Sequence, residues 1–208
     1  MTSIESVAIE KSVETAQGLF NKLFGPSFEE YGLMWADNVK VRRLRNQIKN
    51  LGKIDKIVSE NNLTLKDVNL KVLVPYIENV SLEEDEVLQD MWANLMTSYV
   101  DSSKNLTTTV YPGILSQLSS EEVRIMNELR NSRDKSFRAF YPDWPDVMDK
   151  RRLLNLLRLG LIEEVHQIEQ RETSNRITGA PELEVKYKNT NKFRQTEFGA
   201  SLLDVCER

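Results

Sequence analysis

Hydrolytic chemistry needs a nucleophile held by a base, with a third group to orient the base. The single histidine, His166, lies beside Glu163 and Glu164 at the end of an expected strand, a setting that composes no such triad. The single cysteine, Cys206, sits in the last turn of the chain. One cysteine and one histidine forty residues apart cannot furnish a structural zinc site, and no internal disulfide can form. The glycines are scattered with neither a Walker-type nor a GxGxxG spacing, so no backbone cradle for a nucleotide phosphate is expected. Glu83, Glu84, Asp85, Glu86 and Asp90 offer hard oxygens that could suit a divalent cation. Their place at the start of an expected helix explains them better, because carboxylates there oppose the helix dipole and cap its amides. No catalytic residue, metal or cofactor is expected.

Two basic groups remain. Lys40, Arg42, Arg43, Arg45, Lys49, Lys53 and Lys56 are opposed between residues 38 and 58 by Asp55 alone. On a helix, Arg42, Arg45, Lys49 and Lys56 turn away from the Val41, Leu44, Ile48 and Leu51 side and form a charged stripe. Such a stripe could meet phosphates, or it could answer acidic residues of the same protein or of a second copy; the second reading is favoured. The other group is Lys150, Arg151, Arg152, Asn155 and Arg158 on a helix before a hairpin, with Arg171, Arg176, Lys186, Lys188, Lys192 and Arg194 around the hairpin. Asp143, Asp146 and Asp149 crowd the start of that helix and argue against base readout there. Phe137, Phe140, Tyr141 and Trp144 could stack on bases, but aromatics beside prolines more often pin a loop to the core.

The elements that must carry these groups are mostly helical. Of the 208 residues, 40% are hydrophobic and 29% charged, with 8 Gly and 6 Pro, the profile of a folded, helix-rich chain. The net charge of −4 argues against a protein that coats nucleic acid or anionic membrane over its whole surface. There is no signal-peptide pattern and no run of apolar residues long enough to span a bilayer, so a cytoplasmic protein with no membrane contact is expected. Ile4 to Phe24 reads as an amphipathic helix ended by Gly25-Pro26. After Ser27, a candidate N-cap, Val41, Leu44, Ile48, Leu51, Ile54 and Val58 recur at steps of three and four, a long helix with a coiled-coil-like seam. Gly52 in that helix suggests a kink or a tight contact. Asn61 to Leu65 reads as a loop, followed by a helix through Leu70, Leu73, Val74 and Ile77 that contains Pro75. Ser81 and Glu84 have capping-box spacing ahead of a wide stripe from Val87 to Tyr99. Asp101 to Thr109 reads as an exposed connection, then a short helix over Tyr111 to Leu118 and a cap at Ser119 or Ser120.

Further on, helices over Glu121 to Arg130 and Pro145 to Leu159 are separated by the aromatic segment. Gly160 is placed to end the second. Strands begin at Leu161-Ile162 and include Val185-Lys186-Tyr187, with a polar hairpin tip from Gln167 to Pro181, and Thr196 caps a last helix through Phe198, Leu202, Leu203 and Val205. The expected fold is mainly α: an N-terminal helical bundle with a long helix over 1–105, then a C-terminal winged-helix-like α+β module with a small β-hairpin over 106–208.

From Pro75 through Met96, with the acidic helix start Glu83-Glu84-Asp85-Glu86 and then Met91-Trp92-Ala93-Asn94-Leu95, the chain resembles the abortive infection alpha (Abi-alpha) family. The likeness continues through Tyr111-Pro112-Gly113-Ile114-Leu115, Arg158-Leu159-Gly160-Leu161-Ile162 and Thr196-Glu197-Phe198-Gly199, so it covers roughly residues 27 to 206 in matching order. The acidic helix start carries the identification, since the later pieces recur in many winged helices. The resemblance implies a helical bacterial protein linked to defence against bacteriophage, and it transfers no catalytic residue. Trp92 is read as core, and Asn94 as a helix-to-helix clamp.

The function expected is a nonenzymatic abortive-infection protein acting through protein or nucleic-acid contacts, with a phage or host protein as partner and self-association through the Val41 to Val58 helix. The alternatives are a winged-helix DNA-binding transcriptional regulator and a phage-triggered nuclease or other toxic effector. Contact residues are sought among Arg42, Arg43, Arg45, Lys49, Lys53, Lys56, Lys150, Arg152, Arg158, Lys186 and Lys188.

Overall fold

The computed structural model describes residues 3–25, 41–132, 136–138, 150–174 and 181–207, at some of them the backbone alone. The protein is mainly helical, with a small antiparallel sheet towards its C-terminus. It divides into two compact units, Met1–Ser120 with Leu202–Arg208, and Glu121–Ser201.

In the first unit, α1 (Ser3–Phe24) buries Phe20, Leu23 and Phe24 and ends at Gly25, whose φ of 76° lets its N–H reach the Asn21 carbonyl. The expected cap at Ser27 lies outside the described residues. Helix α2 (Val41–Glu60) lays Leu44, Leu51, Ile54 and Val58 into the core, against α1, α3 (Leu70–Leu82) and α4 (Glu86–Val100). Ile48 of the expected seam is only half-buried.

A methyl group added at Gly52 would meet nothing within 4 Å, so the tight contact suggested for this glycine is not there. Gly52→Ala is therefore expected to stabilise the protein by up to about 1 kcal/mol, because alanine restricts the unfolded chain and suits a helix interior. A rise in the urea midpoint checks this; a fall would mean the helix is bent at that point.

Asn69 caps α3, its side chain accepting from the Lys71 N–H. Pro75 sits inside the helix rather than in its first turn. The expected capping box at Ser81 does not form. Ser81 is the penultimate residue of α3, its hydroxyl donating to the Glu78 carbonyl. The cap of α4 is Asp85 instead, whose Oδ1 accepts from the N–H groups of Val87 and Leu88. A carboxylate one residue before the helix reaches those amides directly, which leaves Ser81 free to close the preceding helix. Leu88, Met91, Trp92, Leu95, Met96 and Tyr99 make α4 the core helix of the unit, while Val87 stays exposed.

The connection after α4 is more tightly held than its polarity suggests. Asp101 is buried, bridges Leu65, and accepts from the N–H and hydroxyl of Ser103. The Tyr99 hydroxyl donates to the Thr108 carbonyl at 2.6 Å. Helix α5 (Tyr111–Leu115) then packs on α3.

The second unit holds α6 (Ser120–Asn131, from Glu121 onward), β1 (Ser136–Arg138), α7 (Lys150–Arg158), β2 (Ile162–Ser174) and β3 (Pro181–Gln195). The sheet order is β1-β3-β2, antiparallel throughout, with Phe137 opposite Phe193 and Ile162 opposite Gln195. Residues 145–149 of the expected helix, and Phe140, Tyr141 and Trp144, lie outside the described residues. Gly160, at φ 69°, ends α7: its N–H donates to the Leu157 carbonyl and that of Leu161 to the Leu156 carbonyl, the paired bonds of a Schellman turn.

The stretch from Gln167 to Ser174, expected as hairpin tip, is strand, paired with 181–188; cross-strand pairing here offers hydrogen bonds to a backbone whose side chains gave no strand pattern. Residues 175–180 lie outside the described residues. The ladder is interrupted between Val165 and His166, where Thr190 donates to the Val165 carbonyl, a bulge within a strand. The last helix, α8 (Glu197–Cys206), begins in the second unit and contributes its final turns to the first.

Candidate functional site

Asn50, Tyr76 and Gln89, buried polar groups of the first unit, are bound to one another. Asn50, fully buried on α2, donates through Nδ2 to the backbone carbonyl and to Oε1 of Gln89 on α4, at 2.8 and 2.6 Å. Its Oδ1 accepts from the Tyr76 hydroxyl of α3 at 2.8 Å. Gln89 in turn donates to the carbonyls of Val80 and Glu83. Burial pushes the Tyr76 phenol well above its usual range, so it remains a proton donor in this bond. Asn46 donates to the Ser81 carbonyl and Arg43 to its hydroxyl. Tyr76 also leans on Trp92 and Phe24, with ring centroids 6.1 and 6.5 Å away. Neutral amides and a protonated phenol hold no nucleophile and no base, so this constellation locks three helices together. Asn50 and Gln47 are polar residues on the buried side of α2; their spacing beside the Leu44 and Leu51 positions was the signal available in the sequence.

Of the basic residues of α2, Lys49, Lys53 and Lys56 are answered from within the same unit. Lys49 and Lys53 both pair with Glu86, and Lys53 also pairs with Asp90. Hydrogen bonds from Lys49 and Lys53 pull the Glu86 carboxyl down to about 2. For Lys53, partial burial works against the charge, but the bonds to Asp90 and Glu86 outweigh it and hold its pKa above the usual value. Lys56 stands 3.8 Å from Glu60, one turn along the helix, and Arg45 is exposed. Lys40 lies outside the described residues, and Arg42 is described only as backbone of α2. Because Leu44, Leu51, Ile54 and Val58 are covered by the unit's own helices, a second copy would have to meet α2 through its charged side. The acidic cluster 83–90 therefore divides its duties: Glu83 and Asp85 bind backbone N–H groups, and Glu86 and Asp90 bind lysines.

Asn94 clamps α4 to the end of α8, its Nδ2 donating to the Cys206 carbonyl at 3.1 Å, while Ser98 donates to the Val205 carbonyl. These bonds satisfy carbonyls that a helix end would otherwise leave unpaired. The Cys206 thiol is buried, and burial pushes its pKa up. Thiol reagents act on thiolates, so Cys206 is expected to resist alkylation in the native protein and to react at once in denaturant. Equal rates in both conditions would show that the end of α8 is not held.

In the second unit α7 buries Leu153 and Leu156, Leu159 is buried just after it, and Arg151, Leu154 and Arg158 turn outward. Asn155 donates to Glu122 Oε1 at 2.7 Å, and its Oδ1 accepts from Nε and Nη2 of Arg158 at 3.2 and 2.7 Å. Arg152 is half-buried, 3.9 Å from Glu121. Lys150 and Lys188 are described as backbone only, in α7 and β3, and Lys186 is exposed on β3 opposite Glu169. His166 stands at the bulge inside β2 rather than at a strand end, and Glu163 beside it binds Arg194 at 2.6 Å. Among the described residues, no three histidine, cysteine, aspartate or glutamate side chains converge as metal ligands, and no helix is long and apolar enough to cross a membrane.

This is a mainly helical protein with a C-terminal antiparallel sheet, in whose first unit Asn50, Tyr76 and Gln89 hold three helices together. The model of the family described as abortive infection alpha matches residues 36–206, most of the chain. The protein belongs to that family and is thereby associated with abortive infection. Comparison with curated proteins and with solved structures finds no match.

Proposed function

We propose that this protein is a cytoplasmic bacterial antiviral defence factor that acts through contacts rather than catalysis, and that its second unit is a winged-helix module presenting the contact surface. The observation that carries this reading is the order of elements: a helix, a short strand, a helix, then a hairpin, with the short strand paired to the far arm of the hairpin in the order β1-β3-β2. That connectivity leaves the helix before the hairpin with one face on the core and the other outward, as in modules that dock through it. Fold alone does not select the partner, since such modules bind proteins as well as nucleic acids.

The test is phage plating efficiency and culture survival. The intact gene is compared with Arg151→Glu combined with Leu154→Glu, and with Arg45→Glu combined with Lys56→Glu. Protection lost only in the first variant, with both proteins folded by circular dichroism, is the expected result. Protection lost only in the second would move the contact to α2, and full protection by both would overturn the reading.

A further inference from the structure

The apolar seam of α2 is covered by the unit's own helices, whereas α3 keeps apolar side chains at the surface. Leu70, Val74 and Leu82 are 40%, 38% and 63% exposed, and Pro75 is half-buried among them. At about 100° per residue these four, with Lys71 and Glu78, occupy about 140° of the helix, opposite the side that carries the buried Leu73, Tyr76 and Val80. Apolar side chains gathered on one face, rather than scattered singly, mark a place where another molecule docks. We propose that this face of α3 pairs with the same face of a second copy of the chain, the two helices running antiparallel across a two-fold axis at Val74 and Pro75. The proposal is independent of the winged-helix reading.

The charges on the face select this occupant. Lys71 and Glu78 are both exposed, and among the described residues neither has an ionic partner. They stand two turns apart and nearly in line, about 10 Å along the axis, too far to pair with each other. One cation and one anion give the face no net charge, so it offers nothing to a polyanion or to an anionic membrane. Turned end for end about the axis at Val74 and Pro75, the face meets itself in register. Lys71 stands opposite the second copy's Glu78, and by symmetry Glu78 stands opposite the second copy's Lys71. Leu82 then comes within a turn of the second copy's Leu70, and the two Val74 side chains meet at the axis. A parallel pairing would set lysine against lysine and glutamate against glutamate, so the charges fix the direction as well as the register. The contact is as long as one helix of 13 residues, about 20 Å. That is short for a stable interface, so a dissociation constant of roughly 10 µM is expected.

Light scattering and sedimentation of the full chain between about 1 and 100 µM measure this directly. The mean mass should rise with concentration from that of one chain towards that of two. Val74→Glu places two carboxylates at the axis and should hold the protein at the mass of one chain throughout, with its circular dichroism unchanged. Lys71→Glu and Glu78→Lys should each weaken association about tenfold, because each sets like charges together at both ends of the contact. The two single variants mixed in equal amounts should associate as the intact protein does, and so should the variant carrying both changes, since in either case each charge again meets its opposite. A single-chain mass at every concentration would overturn the proposal and leave the face to another protein. Association that survives Val74→Glu would overturn it too, by placing the contact elsewhere, and so would reversals that have no effect or are not rescued by mixing. Should Val74→Glu fail to fold, the charge variants decide, because both positions lie at the surface.

Discussion

Gly199→Ala is expected to be the most damaging conservative change in the second unit. A methyl group there would fall inside the contact distance of the Leu161 carbonyl oxygen and stand 3.0 Å from the carbonyl carbon. The atoms it meets are backbone, and the same carbonyl oxygen already accepts the Thr196 N–H at 3.1 Å. The Thr196 side chain accepts the Gly199 N–H at 3.0 Å and donates to the Gly160 carbonyl at 2.7 Å. Helix α8 is therefore fixed against the turn after α7 by two hydrogen bonds from Thr196, which also caps the helix, and by a close approach that only glycine permits. Overpacking against an element that cannot move costs on the order of 3 kcal/mol, which would lower the melting temperature by roughly 6–12 °C for a chain of this size. Thermal denaturation followed by circular dichroism measures it. An unchanged midpoint would mean that the start of α8 does not rest on Leu161. Gly52→Ala, with the opposite sign, is the internal control, because the two glycines differ in what surrounds them.

The second large effect is expected at Asn50. Asn50→Ala removes the acceptor of the Tyr76 hydroxyl and the donor to two oxygens of Gln89, all inside the first unit. Buried groups left without partners cost more than a hydrogen bond contributes when made, and two, the Tyr76 hydroxyl and Gln89 Oε1, are left at once, so a loss of about 3 kcal/mol is expected. Tyr76→Phe leaves only the Asn50 oxygen short of a donor and should cost about 1 kcal/mol. A double-mutant cycle between the two should show coupling of about 1 kcal/mol, read from urea denaturation. Additive effects would mean that the hydroxyl and the amide do not meet. The same network fixes α2, from which Lys49 and Lys53 reach Glu86 and Asp90.

Much of the secondary structure was legible. The apolar spacing of α1, α2 and α4 follows the helical period, and Gly25, Gly160 and Thr196 punctuate the chain through local chemistry that needs no tertiary partner. The clamp at Asn94 was legible because an amide on the side of a core helix must find partners. The Ser81 capping box was misread because two start signals overlap and a carboxylate at 85 reaches the amides first. The length of the hairpin was hidden because polar strands have no alternation to read. The final turns of α8 rejoin the first unit, a return that no stretch of composition marks.

The candidate contact surfaces divide in the same way. The inventory is written in the residues: a helix-rich chain with one histidine and one cysteine, two clusters of cations, and a family signature centred on an acidic helix start. Tertiary structure decided what each cation faces. Lys49 and Lys53 are bound because α4 brings Glu86 and Asp90 beside α2, more than thirty residues away along the chain. Arg158 is oriented because α6 brings Glu122 to Asn155. Charge is a local property of a side chain, whereas its partner is set by which helices pack together, and that packing is fixed by the apolar faces rather than by the charges themselves.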